Sequence, residues 1–193
     1  KIIKPKANET PAEYHLEYTE SGVKENAAAE IIRAEKEIAD MTDVVTGMFD
    51  RIQIGFTDRS QNFVDEHVLP LAQAEDYADQ MHVQLSRFII HCEHLPVTEK
   101  QLNNLSVMLQ IVDELESMTD DCLSIGLLLQ RSIDKKLKFP QEDMDRLIPY
   151  VELARQFLQF IRININKHLD SDKLSMANEL EEQIDLFRKN LKK

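Results

Sequence analysis

The chain has 193 residues, 42% of them hydrophobic, and a formal net charge of −12. This length is sufficient for one ordinary domain with a sizeable core. The chain has no basic stripe and no aromatic-basic cluster, so we expect no nucleic-acid partner. No apolar run approaches the roughly 20 residues that span a bilayer, so we expect no direct membrane insertion of this segment.

The hydrophobic pattern predicts an all-α fold. Only four glycines and six prolines occur, and long runs keep the 3.6-residue helical period while almost none alternate with period two. The two cysteines, Cys92 and Cys122, lie inside predicted helices and form no CxxC pair. This usage favours a reduced, cytoplasmic location.

The first predicted elements are a linker and a long helix. Residues 1–24 are interpreted as a Lys-rich linker followed by a short helix over Tyr14–Ser21, with Thr10 as a helix N-cap. A long helix is predicted from about Glu25 to Phe56. The chain begins with Lys1 and not with Met, so we expect the natural chain to extend further.

Two further long helices are predicted in the middle of the chain. A short helix near Gln61–Val68 should precede a break or kink at Pro70, because proline has no N–H to donate. The second long helix then continues to about His94. Thr98 opens a capping box, which begins a third long helix that should end near Leu137.

The C-terminal part predicts two more helices, over Gln141–His168 and Lys173–Lys193. The last helix has no glycine at its C-terminal end, which again indicates that the natural chain continues.

The third long helix combines an apolar stripe with carboxylates. Glu116 falls on the stripe and Asp120 follows one turn later, although a buried carboxylate is costly unless it is paired, protonated or bound to a metal. The stripe itself recurs at steps of three and four and comprises Leu105, Leu109, Val112, Thr119, Cys122 and Gly126.

A matching pair lies on the second long helix, where Glu75 and Asp79 stand one turn apart at the edge of the apolar stripe. If the two helices pack together, four carboxylates converge, and cations such as iron, zinc, calcium or magnesium would relieve their repulsion. In the alternative interpretation, these acids are solvated boundary residues.

Other candidate ligands are weaker. Glu181 and Asp185 repeat the Glu-x-x-x-Asp spacing in the last helix, and His82 follows Asp79 at the spacing of a carboxylate–histidine metal pair. The di-iron bundle enzymes need such a motif twice, and no second copy is present. No motif of a catalytic residue or an organic cofactor site is found, so we expect no enzymatic activity.

The order of these motifs resembles the PhoU family of phosphate-signalling proteins. The resemblance is carried by Ile38–Phe49, by Glu75–Asp79 and by Leu115–Asp120, and covers most of the chain from about Ala29 to Leu137. Ser117, Met118 and Thr119 stand where the family pattern has Arg, Ile and Gly. The Thr-Pro before the first helix is most similar to the cytosolic PhoU-like domain of bacterial Na+/phosphate cotransporters.

The resemblance implies an elongated antiparallel helical bundle. Residues 25–138 would form one complete three-helix unit, and residues 139–193 two helices of an incomplete second unit. Divalent or ferric cations would be held by the four motif acids Glu75, Asp79, Glu116 and Asp120.

The function implied is a non-enzymatic regulatory domain in phosphate transport. Its expected partner is a membrane transporter domain, in the same chain or separate, at the inner face of the membrane, with a homodimer as a further expected assembly. The alternatives are a di-metal carboxylate enzyme and a purely structural helical interaction domain.

Overall fold

The computed structural model describes residues 12–16 and 26–191, and all regular structure in these ranges is helical. The predicted all-α class is therefore confirmed. In chain order, the elements are α1 (Ala27–Thr57), α2 (Gln61–Phe63), a π-helical turn (Val64–Val68), α3 (Leu69–Glu93), α4 (Glu99–Asp134), α5 (Gln141–Asn164) and α6 (Ser171–Leu191).

Three of the helices, α1, α2 and α4, begin at polar caps that satisfy backbone N–H groups. The side chain of Asn26 accepts from Ala28 N at the start of α1 (3.1 Å), and Ser60 caps α2. The predicted capping box of α4 is confirmed, because Gln101 N donates to Thr98 Oγ1 (3.3 Å) and Thr98 N donates to Gln101 Oε1 (2.9 Å). Such caps fix where each helix starts.

The end of α4 is a left-handed turn at Lys136. This residue has a φ of 52°, and two bonds close the turn: Lys136 N donates to Ile133 O (2.8 Å) and Leu137 N donates to Ser132 O (2.9 Å). These are the two bonds of a Schellman motif. The helix therefore ends at Asp134, three residues before the predicted Leu137.

The chain does not break at Pro70, and the kink that was the alternative prediction stays a prediction. The chain stays helical from Gln61 to Glu93, and the irregularity is the π-helical turn Val64–Val68 directly before the proline. Pro70 has no N–H to donate, and its ring occupies space near the carbonyl four residues earlier. The locally widened π-helical turn accommodates the proline without ending the helix.

The predicted helix over Tyr14–Ser21 is contradicted in its described part. Residues 12–16 have no regular secondary structure, because the backbone groups of Tyr14 and Leu16 bond to side chains of α3 instead of to each other. Residues 17–21, and the predicted N-cap Thr10, lie outside the described residues.

Three long helices enclose the core. α1 packs against α3 and α4, and α3 packs along α4. One apolar cluster joins Ile38, Met81 and Val112, and a second joins Ile52, Leu71 and Leu129. Most of the buried hydrophobic residues therefore lie in α1, α3 and α4.

α5 and α6 form a pair that rests on α1. α5 contacts α1 and α6, and its salt bridges Arg155–Asp50 (3.2 Å) and Arg162–Asp43 (2.5 Å) reach α1. α5 ends at Asn164, four residues before the predicted end. The boundary predicted at residue 138 falls in the α4–α5 connection, and the division into repeated units stays a prediction.

A bilayer span requires a long and strongly apolar helix. None of the helices within residues 26–191 has that combination of length and apolar character.

Two glycines of α1 provide a direct test of the packing. A Cβ on Gly55 would lie 2.5 Å from Phe63 Cζ and 2.8 Å from Leu129 Cδ1, whereas a Cβ on Gly47 would meet nothing within 4 Å. Both positions gain about 1 kcal/mol of helix propensity on replacement by alanine. Overpacking costs about 1–3 kcal/mol at Gly55 alone.

We therefore expect Gly47→Ala to raise the free energy of unfolding by about 0.5–1 kcal/mol, and Gly55→Ala to give no gain and to lower it by up to about 2 kcal/mol. Urea denaturation of both variants beside the wild type measures the difference. Equal stabilisation by the two substitutions would contradict the close contact of α1 with Phe63.

Candidate metal site

The acids of α3 and α4 lie at the edges of a packed apolar seam. Ala78, between Glu75 and Asp79, is fully buried, and so is Thr119 beside Asp120. The buried residues of α4, which we call its inward line, recur at steps of three and four: Leu105, Met108, Val112, Leu115, Thr119, Cys122, Gly126 and Leu129. Carboxylates next to such positions project along the border between the helices.

Glu116 does not occupy the inward position that the predicted stripe gave it. Leu115 is buried in its place and Glu116 is half-buried, while Met108 replaces Leu109 on the inward line. Both lines alternate steps of three and four, so the helical period does not distinguish them; the apolar side chains of Met108 and Leu115 take the inward positions.

Three carboxylates from two helices meet at this border. One carboxylate oxygen each from Glu75, Asp79 and Asp120 lies within 4.8 Å of the other two, with Glu75 half-buried and both aspartates exposed. Three of the four predicted ligands are thus brought together. Glu116 is not a member of this group within the described residues.

The electrostatics of the group are those of crowded like charges. Burial raises the pKa of Glu75 above its ordinary value, and the negative charges of Asp79 and Asp120 raise it further. Both effects disfavour the ionised carboxylate. A proton or a cation bound at Glu75 therefore relieves an unfavourable interaction.

The donor set fits a hard cation. All three side chains offer carboxylate oxygen, the ligand that Ca²⁺, Mg²⁺, Mn²⁺ and Fe³⁺ prefer, and the exposure of Asp79 and Asp120 leaves room for water to complete the coordination. Zinc is less well matched, because its sites in proteins use mostly nitrogen and sulfur ligands.

The family-divergent residues between the two acids of α4 are accommodated without distortion of the helix. Thr119 is fully buried, and its hydroxyl donates to the carbonyl of Glu116 (2.7 Å). Ser117 is exposed. A threonine at this position therefore satisfies its own hydroxyl within α4, and does not prevent Asp120 from reaching the group on α3.

His82 has another partner. Its Nε2 lies 2.8 Å from Oδ1 of Asp113 on α4, and it is not among the grouped ligands. The sequence pattern did not indicate this contact, since Asp113 lies outside both acidic motifs. It ties α3 to α4 about one turn from Asp79 on α3 and about two turns from Asp120 on α4.

The remaining candidates are separate from this group. Glu181 is exposed on α6, and Asp185 forms a salt bridge with Arg188 (2.8 Å). Cys92 and Cys122 are buried, and neither is in a disulfide. Burial, assisted by the charge of Asp121, raises the pKa of Cys122 to about 12, so this thiol stays protonated at neutral pH.

Comparison of the chain with protein-family models, curated proteins and solved structures finds no match. The resemblance to the PhoU family therefore stays a prediction from the motif residues.

The crowding of Glu75 leads to a prediction about pH. Unfolded Glu75 releases its proton near the ordinary value of 4.5, whereas the folded protein holds it to higher pH. The contribution of Glu75 to the free energy of unfolding must therefore fall as pH rises from about 4.5 through its raised folded-state pKa. Above that pKa, the full unfavourable contribution is present.

We expect Glu75→Gln to increase the free energy of unfolding at pH 7 by about 0.2–1 kcal/mol, the range of partly exposed charge interactions. The gain should shrink below pH 4.5. Urea denaturation at pH 7 and below pH 4.5, in the presence of a metal chelator, measures this gain. Glu114→Gln, at an exposed position, is the control. A loss of stability at pH 7 would refute the crowding.

Proposed function

We propose that this chain is a non-enzymatic regulatory domain of PhoU type that acts in phosphate transport by holding a cation between α3 and α4. The observation that carries the proposal is the convergence of Glu75, Asp79 and Asp120 from two adjacent helices. The packing of α1, α3 and α4 as one unit, with α5 and α6 resting on α1, also supports it.

The chemistry of the site is binding. A cation held by Glu75, Asp79 and Asp120 would neutralise part of a strongly acidic surface and present a positive centre there. Such a centre can attract a phosphate group or a carboxylate of a partner protein. The partner we propose is the transporter part of a Na+/phosphate cotransporter or phosphate-uptake system, at the inner face of the membrane.

The metalloenzyme alternative gains no support from the geometry, since His82 bonds to Asp113 and stands apart from the three acids. The purely structural alternative differs from the proposal in one measurable respect. It requires no specific cation affinity beyond that of any acidic surface.

Paired variants on the same two helices separate these possibilities. Asp79→Asn with Asp120→Asn removes two proposed ligands, and Asp76→Asn with Asp121→Asn removes two exposed carboxylates that directly follow Glu75 and Asp120 in sequence. Both double variants change the net charge equally. Calorimetric titration with Mn²⁺, Ca²⁺ and Mg²⁺ compares their affinities with that of the wild type.

We expect the first double variant to lose at least tenfold in affinity for the preferred cation and the second to bind like the wild type. A cation at 100 times its Kd should also raise the free energy of unfolding of the wild type by about 2.7 kcal/mol. Equal affinities in all three proteins would refute the site and favour a structural domain.

The same pair of double variants tests the physiological part of the proposal. In cells that carry the parent protein, phosphate uptake should change at least twofold with Asp79→Asn and Asp120→Asn, and stay unchanged with the neighbouring pair. Altered cation binding with unaltered uptake would refute the role in phosphate transport while leaving the site intact.

A further inference from the structure

Residues 12–16 lie in a groove between α1 and α3. Tyr14 and Leu16 are 5% and 6% exposed, while His15 between them is exposed. Both buried side chains belong to the main apolar cluster, together with Ile31 and Leu85. A segment without regular secondary structure thus contributes two alternate side chains to the core.

The backbone of this segment is recognised by two glutamines one turn apart on α3. The side-chain amide of Gln84 makes two bonds, accepting from Leu16 N (2.9 Å) and donating to Tyr14 O (2.6 Å). Gln80 accepts from Tyr14 N (3.0 Å). The Gln84 amide therefore takes the place of a neighbouring strand, because it binds the C=O of one residue and the N–H two residues later.

The side-chain pockets are selective. The hydroxyl of Tyr14 donates to Glu37 Oε2 on α1 (2.7 Å), and its ring meets that of Tyr77 edge to face, with centroids 5.6 Å apart. Burial and the nearby charges of Glu37 and Asp40 raise the pKa of Tyr14. The pocket thus suits a neutral phenol and disfavours phenylalanine, which lacks the donor, or an anionic group.

This combination is that of a peptide-binding site. Main-chain hydrogen bonds supply affinity that does not depend on sequence, and pockets for alternate side chains supply specificity. The contacts belong to the side chains of α1 and α3, and the bound segment is joined to α1 only through the nine residues 17–25. Nine residues can span up to about 30 Å, so release of the segment does not require α1 to unfold.

We propose that the groove between α1 and α3 is a recognition site for an extended Tyr-x-Leu peptide, that residues 12–16 are its resident ligand, and that the same sequence supplied in trans can replace them. The site is independent of the carboxylate group. It lies on the Tyr77 and Gln80 side of α3, where the chain enters the bundle, and so offers a point at which the preceding segment can be attached or released.

The test uses the full chain with its own ligand weakened by Tyr14→Ser and Leu16→Ser. The probe is a fluorescein-labelled peptide with the sequence of residues 11–18, and fluorescence anisotropy measures its binding. We expect at least tenfold tighter binding to this double variant than to the wild type, whose groove is filled. The peptide carrying the same two serine substitutions should not bind.

A matched pair of glutamine substitutions locates the peptide. Added to the double variant, Gln84→Ala should weaken peptide binding at least tenfold, whereas Gln110→Ala, at an exposed position of α4, should leave it unchanged. Absence of binding to the folded double variant, or equal loss with both glutamine substitutions, would overturn the proposal.

Hydrogen exchange on the wild type decides the matter if the double variant does not fold. Release of the segment predicts that the amides of Tyr14 and Leu16 exchange at least 100-fold faster than that of Leu85 in α3, through local opening. Exchange of all three amides at the rate of global unfolding would show a permanent part of the core and overturn the proposal.

Discussion

The apolar seam between α3 and α4 is the constraint on which the other features depend. Ala78 and Leu85 on one helix and Val112, Leu115 and Thr119 on the other are almost completely buried. Close packing of these two faces fixes the rotation of both helices. The residues beside the seam, including Glu75, Asp79 and Asp120, then have to face each other across its border, whatever their charge.

This arrangement has an energetic consequence. The apolar residues stabilise the pairing of the helices by burial, while the carboxylates beside them oppose it by repulsion and partial desolvation, as the raised pKa of Glu75 indicates. An acidic surface could have avoided this conflict by placing its acids on the outer faces of the helices. A cation bound by these carboxylates would raise the free energy of unfolding, and the same arrangement would then stabilise the fold.

The border between α3 and α4 also contains a favourable polar contact, between His82 and Asp113. His82 lies about one turn from Asp79 on α3. The two regions differ in kind. His82 and Asp113 form a hydrogen bond between groups that can carry opposite charges, whereas Glu75 is close to other carboxylates, Asp79 and Asp120, which raise its pKa. The border therefore contains a favourable contact at His82 and unfavourable charge interactions at Glu75.

Much of this could be predicted from the sequence. The helical period located the long helices, and the residues of the α4 capping box fixed its first turn, because both signals are local. The inward position of Leu115 in place of Glu116 was not fixed by the period, because both residues fit it; the preference of the apolar side chain for the core decides it. The bonds from Gln80 and Gln84 to the segment around Tyr14 span 66 to 70 residues. Local patterns contain no information about such contacts.

The carboxylate group could be predicted from the sequence only in part. Its members on each helix were predicted from spacing, but which of them meet depends on the rotation and depth of packing of α3 against α4. Asp120 reaches the α3 pair and Glu116 does not belong to the group. Glu116 and Asp120 lie only about 40° apart around α4 but about 6 Å apart along its axis, so their spacing alone does not show which of them meets the α3 pair.

The most direct test of the central claim is paramagnetic broadening by Mn²⁺ in the nitrogen-15 NMR spectrum of the protein. At a small fraction of one equivalent, the ion should first broaden the amide signals around Glu75–Asp79 and around Asp120, with little effect on α6. Uniform broadening over the acidic surface, or broadening centred on Glu181–Asp185, would contradict a cation site between α3 and α4.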